Sequence, residues 1–116
     1  MSQSPLPIDL AQLARYTGGE AALDAEVLGL FRDQCTETVR DLQMLLRDPD
    51  PRAWRERAHK LKGGALAVGA SQVAALAARA ERLDASAAPV EAAEIVGALA
   101  EVCRLVETFV NGRITR

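Results

Sequence analysis

Apolar residues recur along most of the chain at alternating steps of three and four, the spacing of one face of an α-helix. From Glu20 to about Arg47 the series Leu23, Val27, Phe31, Cys35, Thr38, Leu42 and Leu45 predicts one long amphipathic helix. Asp48-Pro49-Asp50-Pro51 ends it and starts the next, since Asp50 suits an N-cap and Pro51 the first helical position. The third helix carries Trp54, Ala58, Leu61, Ala65 and Val68 on one stripe until Gly69-Ala70 breaks the pattern. Ser71 is placed to cap a fourth, with Val73, Leu76, Ala77, Ala80 and Leu83 inward. After a small-residue loop, Asp84 to Ala88, Pro89 opens a last helix with Ala92, Val96, Leu99, Cys103, Val106 and Val110 inward, ending at Asn111-Gly112. Ahead of these, Asp9 N-caps a short helix bearing Leu10, Leu13 and Ala14 that stops at Thr17-Gly18-Gly19.

Four amphipathic stripes joined by short connections have one economical arrangement: an all-α, antiparallel up-down-up-down four-helix bundle, here with a short additional N-terminal helix over one end. The prediction is a single domain over 1–116, with 1–7 a loose lead and 8–112 the bundle. Composition agrees, because 49% hydrophobic residues with only 3% aromatic ones require a core of Leu, Val and much Ala, which suits closely packed helices. Strand-length runs of β-branched and aromatic residues are missing. No second apolar stripe is left over, so a monomer is expected.

Charge narrows the possible partners. With 14 basic and 16 acidic side chains well mixed and a net charge of −2, the chain has neither the field that nucleic acid requires nor a polybasic membrane patch. Met1 to Ile8 lacks the features of a signal peptide and no apolar run reaches spanning length, so a cytoplasmic protein is expected. Cys35 and Cys103 have no metal or redox spacing and fall on apolar stripes, which predicts buried, reduced thiols.

The stretch Ala58-His59-Lys60-Leu61-Lys62-Gly63-Gly64 holds the only histidine of 116 residues. On a helical wheel His59 lies about 140° from the centre of the Trp54–Val68 stripe, so it faces water or a partner. Lys62 and Gly63, three and four residues on, share that face, as do Arg55, four residues before, and Leu66, about 120° from the core stripe. An exposed glycine in a helix costs roughly 1 kcal/mol relative to alanine. Close approach by another surface accounts for Gly63, because a missing side chain one turn from the imidazole leaves room for a bulky group. Gly64 points elsewhere, about 140° from His59, toward close helix packing.

A neutral imidazole can attack an electrophile through one ring nitrogen, and a neighbouring cation favours the neutral ring and stabilises a transferred anion such as phosphoryl. No orienting carboxylate is evident: Glu56 sits on the outer face about 60° from His59, where it could equally pair with Lys60. A single histidine with two core-facing cysteines excludes zinc and haem sites, so no metal and no cofactor of its own is expected. Lys62-Gly63-Gly64 is in the wrong order for a nucleotide-binding loop, and no ATP-dependent kinase activity is expected.

The same residues, with Val68-Gly69-Ala70 after a short gap, resemble the histidine-containing phosphotransfer domain, whose signature is a histidine, Lys-Gly three and four residues later, and Gly-Ala at the helix end. Ile8-Asp9, Gly18-Gly19-Glu20 and Phe31 are also similar to the family's pattern. The resemblance implies a helical bundle that accepts a phosphoryl group from a receiver-domain aspartate and passes it to a response-regulator aspartate. It implies His59 as phosphoacceptor, Lys62 as the stabilising cation, and Gly63 as the clearance for the partner; Arg55, Lys60 and Leu66 are placed as minor partner contacts. The partners implied are receiver domains of a hybrid sensor kinase and a response regulator, with Mg²⁺ supplied by the partner. Glu81 falls where some members place a polar side chain facing the ring, but a carboxylate there would repel phosphate, so its role stays open. The Met1 start and the lack of a kinase or receiver segment suggest a stand-alone shuttle. A second reading keeps the bundle as a non-catalytic adaptor that binds through the outer face of the third helix.

Overall fold

A computed structural model describes residues 6–114, and among them it contains five α-helices and no strand. They are α1 (Leu10–Thr17), α2 (Ala21–Arg47), α3 (Pro51–Val68), α4 (Ser71–Arg82) and α5 (Pro89–Ile114). Residues 1–5 of the expected lead lie outside the described residues. No helix among the described residues is long and apolar enough to cross a membrane.

Local chemistry sets most boundaries. Asp9 caps α1 by accepting from the backbone N–H groups of Ala11 and Gln12 at 3.0 and 3.3 Å, and Gly18 ends the helix in the left-handed region at φ 77°. Asp50 caps α3 through the N–H of Ala53 at 3.2 Å, with Pro51 in the first turn. At the other end of α3 the N–H groups of Gly69 and Ala70 both bond the Ala65 carbonyl. Gly69 is required twice over there. Its φ is 79°, and a Cβ would meet Asp9 and Gln12 at 2.9 Å.

Two boundaries differ from the pattern read in the sequence. Ser71 does not cap α4; Ala70 holds the cap position with no side-chain hydrogen bond, and Ser71 is the first helical residue. The buried methyl of Ala70 is fixed by packing, and the Gly69 reversal directs the chain into the helix without a polar cap. α5 continues past Asn111-Gly112 to Ile114. Arg32 on α2 donates to Asn111 Oδ1 at 2.8 Å, the side chain of Ile114 lies near Gly29, and the Arg113 guanidinium stacks over Phe109. These contacts outweigh the helix cost of one glycine.

The four long helices touch in cyclic order: α2 packs on α3 and α5, and α4 packs on α3 and α5. α1 rests on α2 and α3, and the Asp9 N–H bonds the Gly69 carbonyl at 2.9 Å, which ties α1 to the end of α3. The five inward residues of α3 and the six of α5 are buried as the pattern predicts, with Ile95 in addition. α2 is rotated from the expected face: Leu28 and Val39 join Phe31, Cys35, Thr38 and Leu42 inside, whereas Leu23 is exposed and Val27 and Leu45 are half-buried. On α4, Ala74 is buried and Leu76 and Leu83 only partly so. Alanines at 58, 65, 74, 77 and 80 let α3 and α4 approach closely, and Trp54 donates its indole N–H to the Ala80 carbonyl at 2.7 Å. The start of α3 thereby lies beside the end of α4.

Candidate functional site

That α3–α4 contact builds the site. His59 stands one turn beyond Trp54 on the opposite side of α3, with 68% of its side chain exposed. Lys62 and Gly63 follow on the same face, and a Cβ at Gly63 would meet nothing within 4 Å, so the surface beside the imidazole is open. Gly64 behaves differently. A Cβ there would collide with the Gln34 side chain, which crosses from α2 to donate to the Lys60 carbonyl at 3.2 Å. The two glycines thus serve opposite surfaces, as their angular separation predicts.

Glu81, in the last turn of α4, joins the site from across the helix pair. Its Oε2 lies 2.7 Å from His59 Nδ1, and its Oε1 accepts from Lys62 Nζ at 2.7 Å. Glu81 is only 20% exposed and Lys62 30%, so this part of the cluster is shielded while the imidazole projects outward. The hydrogen bond from Lys62, then that from His59, hold the Glu81 carboxyl below its ordinary value of 4.5, against the opposing effect of burial. It is therefore ionised at neutral pH and can only accept. Nδ1 must carry the ring proton toward Glu81, which leaves the Nε2 lone pair of the neutral ring free on the exposed side. A nucleophilic nitrogen with its tautomer fixed is what the arrangement offers chemically.

This geometry corrects the reading that no orienting carboxylate is present. Glu56 pairs with Arg52 at 3.3 Å rather than with Lys60, and the carboxylate beside His59 comes from another helix. Glu81 bonds Nδ1, the ring nitrogen away from the free lone pair, and its charge is paired with Lys62. A sequence signal existed. His59 lies ten residues before Gly69 and Glu81 eleven after Ala70, and a helical hairpin sets residues equidistant from its turn side by side.

The remaining sequence-selected residues divide. Arg55 is exposed one turn before His59, and Leu66, 58% exposed, is one turn beyond Gly63, so both share the imidazole's face. Lys60 is about 100° around the helix and lines an apolar groove with Tyr16, Leu30, Phe31 and Gly64 instead.

In comparisons with known proteins, the family model for the Hpt domain matches residues 26–108, which include His59, Lys62, Gly63 and Glu81. No curated protein and no solved structure matched the chain.

Proposed function

The chain belongs to the Hpt domain family, which places it in histidine phosphotransfer of two-component signalling, and from that premise we propose that it is a phosphorelay intermediate with His59 as phosphoacceptor. The observation that carries the reading is the His59–Glu81–Lys62 cluster, which fixes the ring proton on Nδ1 and leaves Nε2 open beside Gly63.

In this reading Nε2 attacks the phosphorus of a receiver's aspartyl phosphate in line. The Nε2–P bond forms as the P–O bond to the aspartate breaks, and the carboxylate leaves with its electron pair. The phosphorylated ring is cationic while Nδ1 keeps its proton, so Glu81 stabilises it from behind as a positioning residue. Lys62 neutralises the carboxylate and supplies positive charge near the transferred group. Return transfer to a second receiver's aspartate reverses these steps. The partners are the receiver domain of a hybrid sensor kinase and that of a response regulator, and Mg²⁺ comes with the partner's aspartate. Gly63 provides clearance, and Arg55 and Leu66 contact the partner. The cyclic helix order and the side-by-side placement of Trp54 and Ala80 support an antiparallel up-down-up-down bundle.

Incubation of the purified chain with a pre-phosphorylated receiver tests this. Label is expected on the wild type and not on His59→Gln, and equal labelling of both would overturn the assignment.

A further inference from the structure

Among the described residues, the charged groups placed toward the His59 ring come from two helices. On α4, the Glu81 carboxylate lies 2.7 Å from Nδ1, and Arg82 beside it is exposed. On α3, Lys62 is bonded to the same carboxylate at 2.7 Å, Glu56 is taken up by Arg52 at 3.3 Å, and Arg55 stands exposed one turn before the ring. α2 sends Asp41 to Arg57 and Gln34 to the Lys60 carbonyl, both on other sides of α3. α1 lies at the Gly69 end of α3, where Asp9 is engaged with its own helix, and α5 does not touch α3. The Nδ1 edge of the ring thus meets one carboxylate, itself largely shielded from solvent.

A carboxylate in that place acts differently from an uncharged acceptor once Nε2 carries a phosphoryl group. Nδ1 is then the one position of the ring that titrates. With Nδ1 protonated, the ring departs from phosphorus as neutral imidazole; with Nδ1 bare, it would depart as an imidazolate anion, a far poorer leaving group. Phosphohistidine is for this reason labile in acid and stable in alkali. An imidazole without a partner loses its proton near pH 6.5, whereas an opposite charge in hydrogen-bond contact favours the protonated ring.

Resting on the phosphoacceptor reading, we propose that the Glu81 carboxylate regulates the lifetime of phosphorylated His59, holding the Nδ1 proton above neutral pH and so keeping the phosphoryl group dischargeable where an uncharged partner would leave it inert. In the discharge step an oxygen of the acceptor, a receiver aspartate or water, forms the new bond to phosphorus. The N–P electron pair returns to Nε2, Nδ1 keeps its proton, and with water as acceptor the proton that water loses goes to solvent. Glu81 acts through the ring, as a positioning residue. Lys62 has two opposed effects: its bond keeps the carboxylate ionised and oriented, while its charge disfavours a cationic ring.

The test loads the full chain with phosphoramidate, a small phosphoryl donor that needs no receiver. Loss of protein-bound phosphate to water is then followed by ³¹P NMR from about pH 6 to about pH 10, in wild type, Glu81→Gln and Lys62→Met. Glutamine keeps an acceptor for the Nδ1 proton and removes the charge. Discharge of wild type is expected to hold its rate to a pH about one unit above the point where Glu81→Gln falls off, so that the two differ roughly tenfold beyond both points. Lys62→Met keeps the carboxylate and is expected not to lower the fall-off, whereas simple loosening of the α3–α4 contact would move both variants alike. A fall-off at the same pH in wild type and Glu81→Gln, or one lowered equally by the two substitutions, would overturn the proposal. Failure of phosphoramidate to label His59 would instead overturn the phosphoacceptor reading, and the lifetime proposal with it.

Discussion

Lys62, Gly63 and Glu81 surround the proposed phosphoacceptor His59, and the contribution proposed for each is separable. Lys62→Ala removes a cation 2.7 Å from Glu81 and is expected to slow phosphoryl transfer roughly tenfold, with little change in helicity, because the lost contribution is electrostatic. Unchanged rates in a single-turnover transfer assay would contradict that role. Gly63→Gln separates stability from docking. The helix gains up to about 1 kcal/mol in unfolding experiments, since no neighbour lies within 4 Å, while the longer side chain beside His59 slows transfer from the receiver. Glu81 was the residue whose role could not be read locally. Its position on α4 depends on the α3–α4 turn, and its effect depends on which ring nitrogen it touches; neither is encoded within a few residues of His59.

Glu81 also gives the site a pH dependence whose sign is fixed. Its folded-state carboxyl titrates below the ordinary 4.5 because Lys62 and His59 bond its ionised form. Its contribution to stability is therefore present above the unfolded value and is lost as pH falls through the folded one. Denaturant titrations from pH 6 down to about 3 are expected to show wild type losing more stability than Glu81→Gln, with the two curves converging at the acid end. Parallel curves would show that the bonds to Lys62 and His59 do not bias its ionisation.

At the scale of elements, the helices were legible because apolar periodicity and capping chemistry agree. Asp9, Gly18, Asp50, Pro51 and Gly69 mark ends that the structure places where their local chemistry requires. The inward face of α3 follows the pattern because its stripe is narrow and flanked by charged residues. α2 was less legible, because it touches α1, α3 and α5 and carries apolar residues over a wide arc. Which of Leu23, Val27, Leu28 and Leu30 turn inward is then decided by neighbours rather than by spacing. The end of α5 was missed for a related reason: Gly112 is a local stop signal, and the Arg32–Asn111 bond and Ile114 packing override it. The α3–α4 seam is the element contact most sensitive to mutation. Trp54→Ala is expected to cost about 3–5 kcal/mol, and Trp54→Phe about 1–2 kcal/mol through loss of the indole bond to Ala80. Chemical denaturation measures both, and a Trp54→Ala cost below 1 kcal/mol would mean that the seam repacks freely.

At the scale of the molecule, the four long helices close a ring in which the α3–α4 pair carries the exposed imidazole and its Glu81 partner, while the α2–α5 pair closes the other side. The ring presents His59 on continuous helix, whose backbone bonds keep the imidazole registered with Glu81, and in the proposed relay the helices contribute position and charge rather than a pocket around substrate. Family membership rests on the match over residues 26–108, and the proposed relay rests on one atomic claim, that Nε2 of His59 is the nitrogen left free. The most direct test is heteronuclear NMR of the ¹⁵N-labelled chain before and after phosphorylation by a receiver. The account predicts a proton on Nδ1 in the unmodified ring and phosphorus coupling to Nε2 afterwards; phosphorus on Nδ1, or on a residue other than His59, would contradict it.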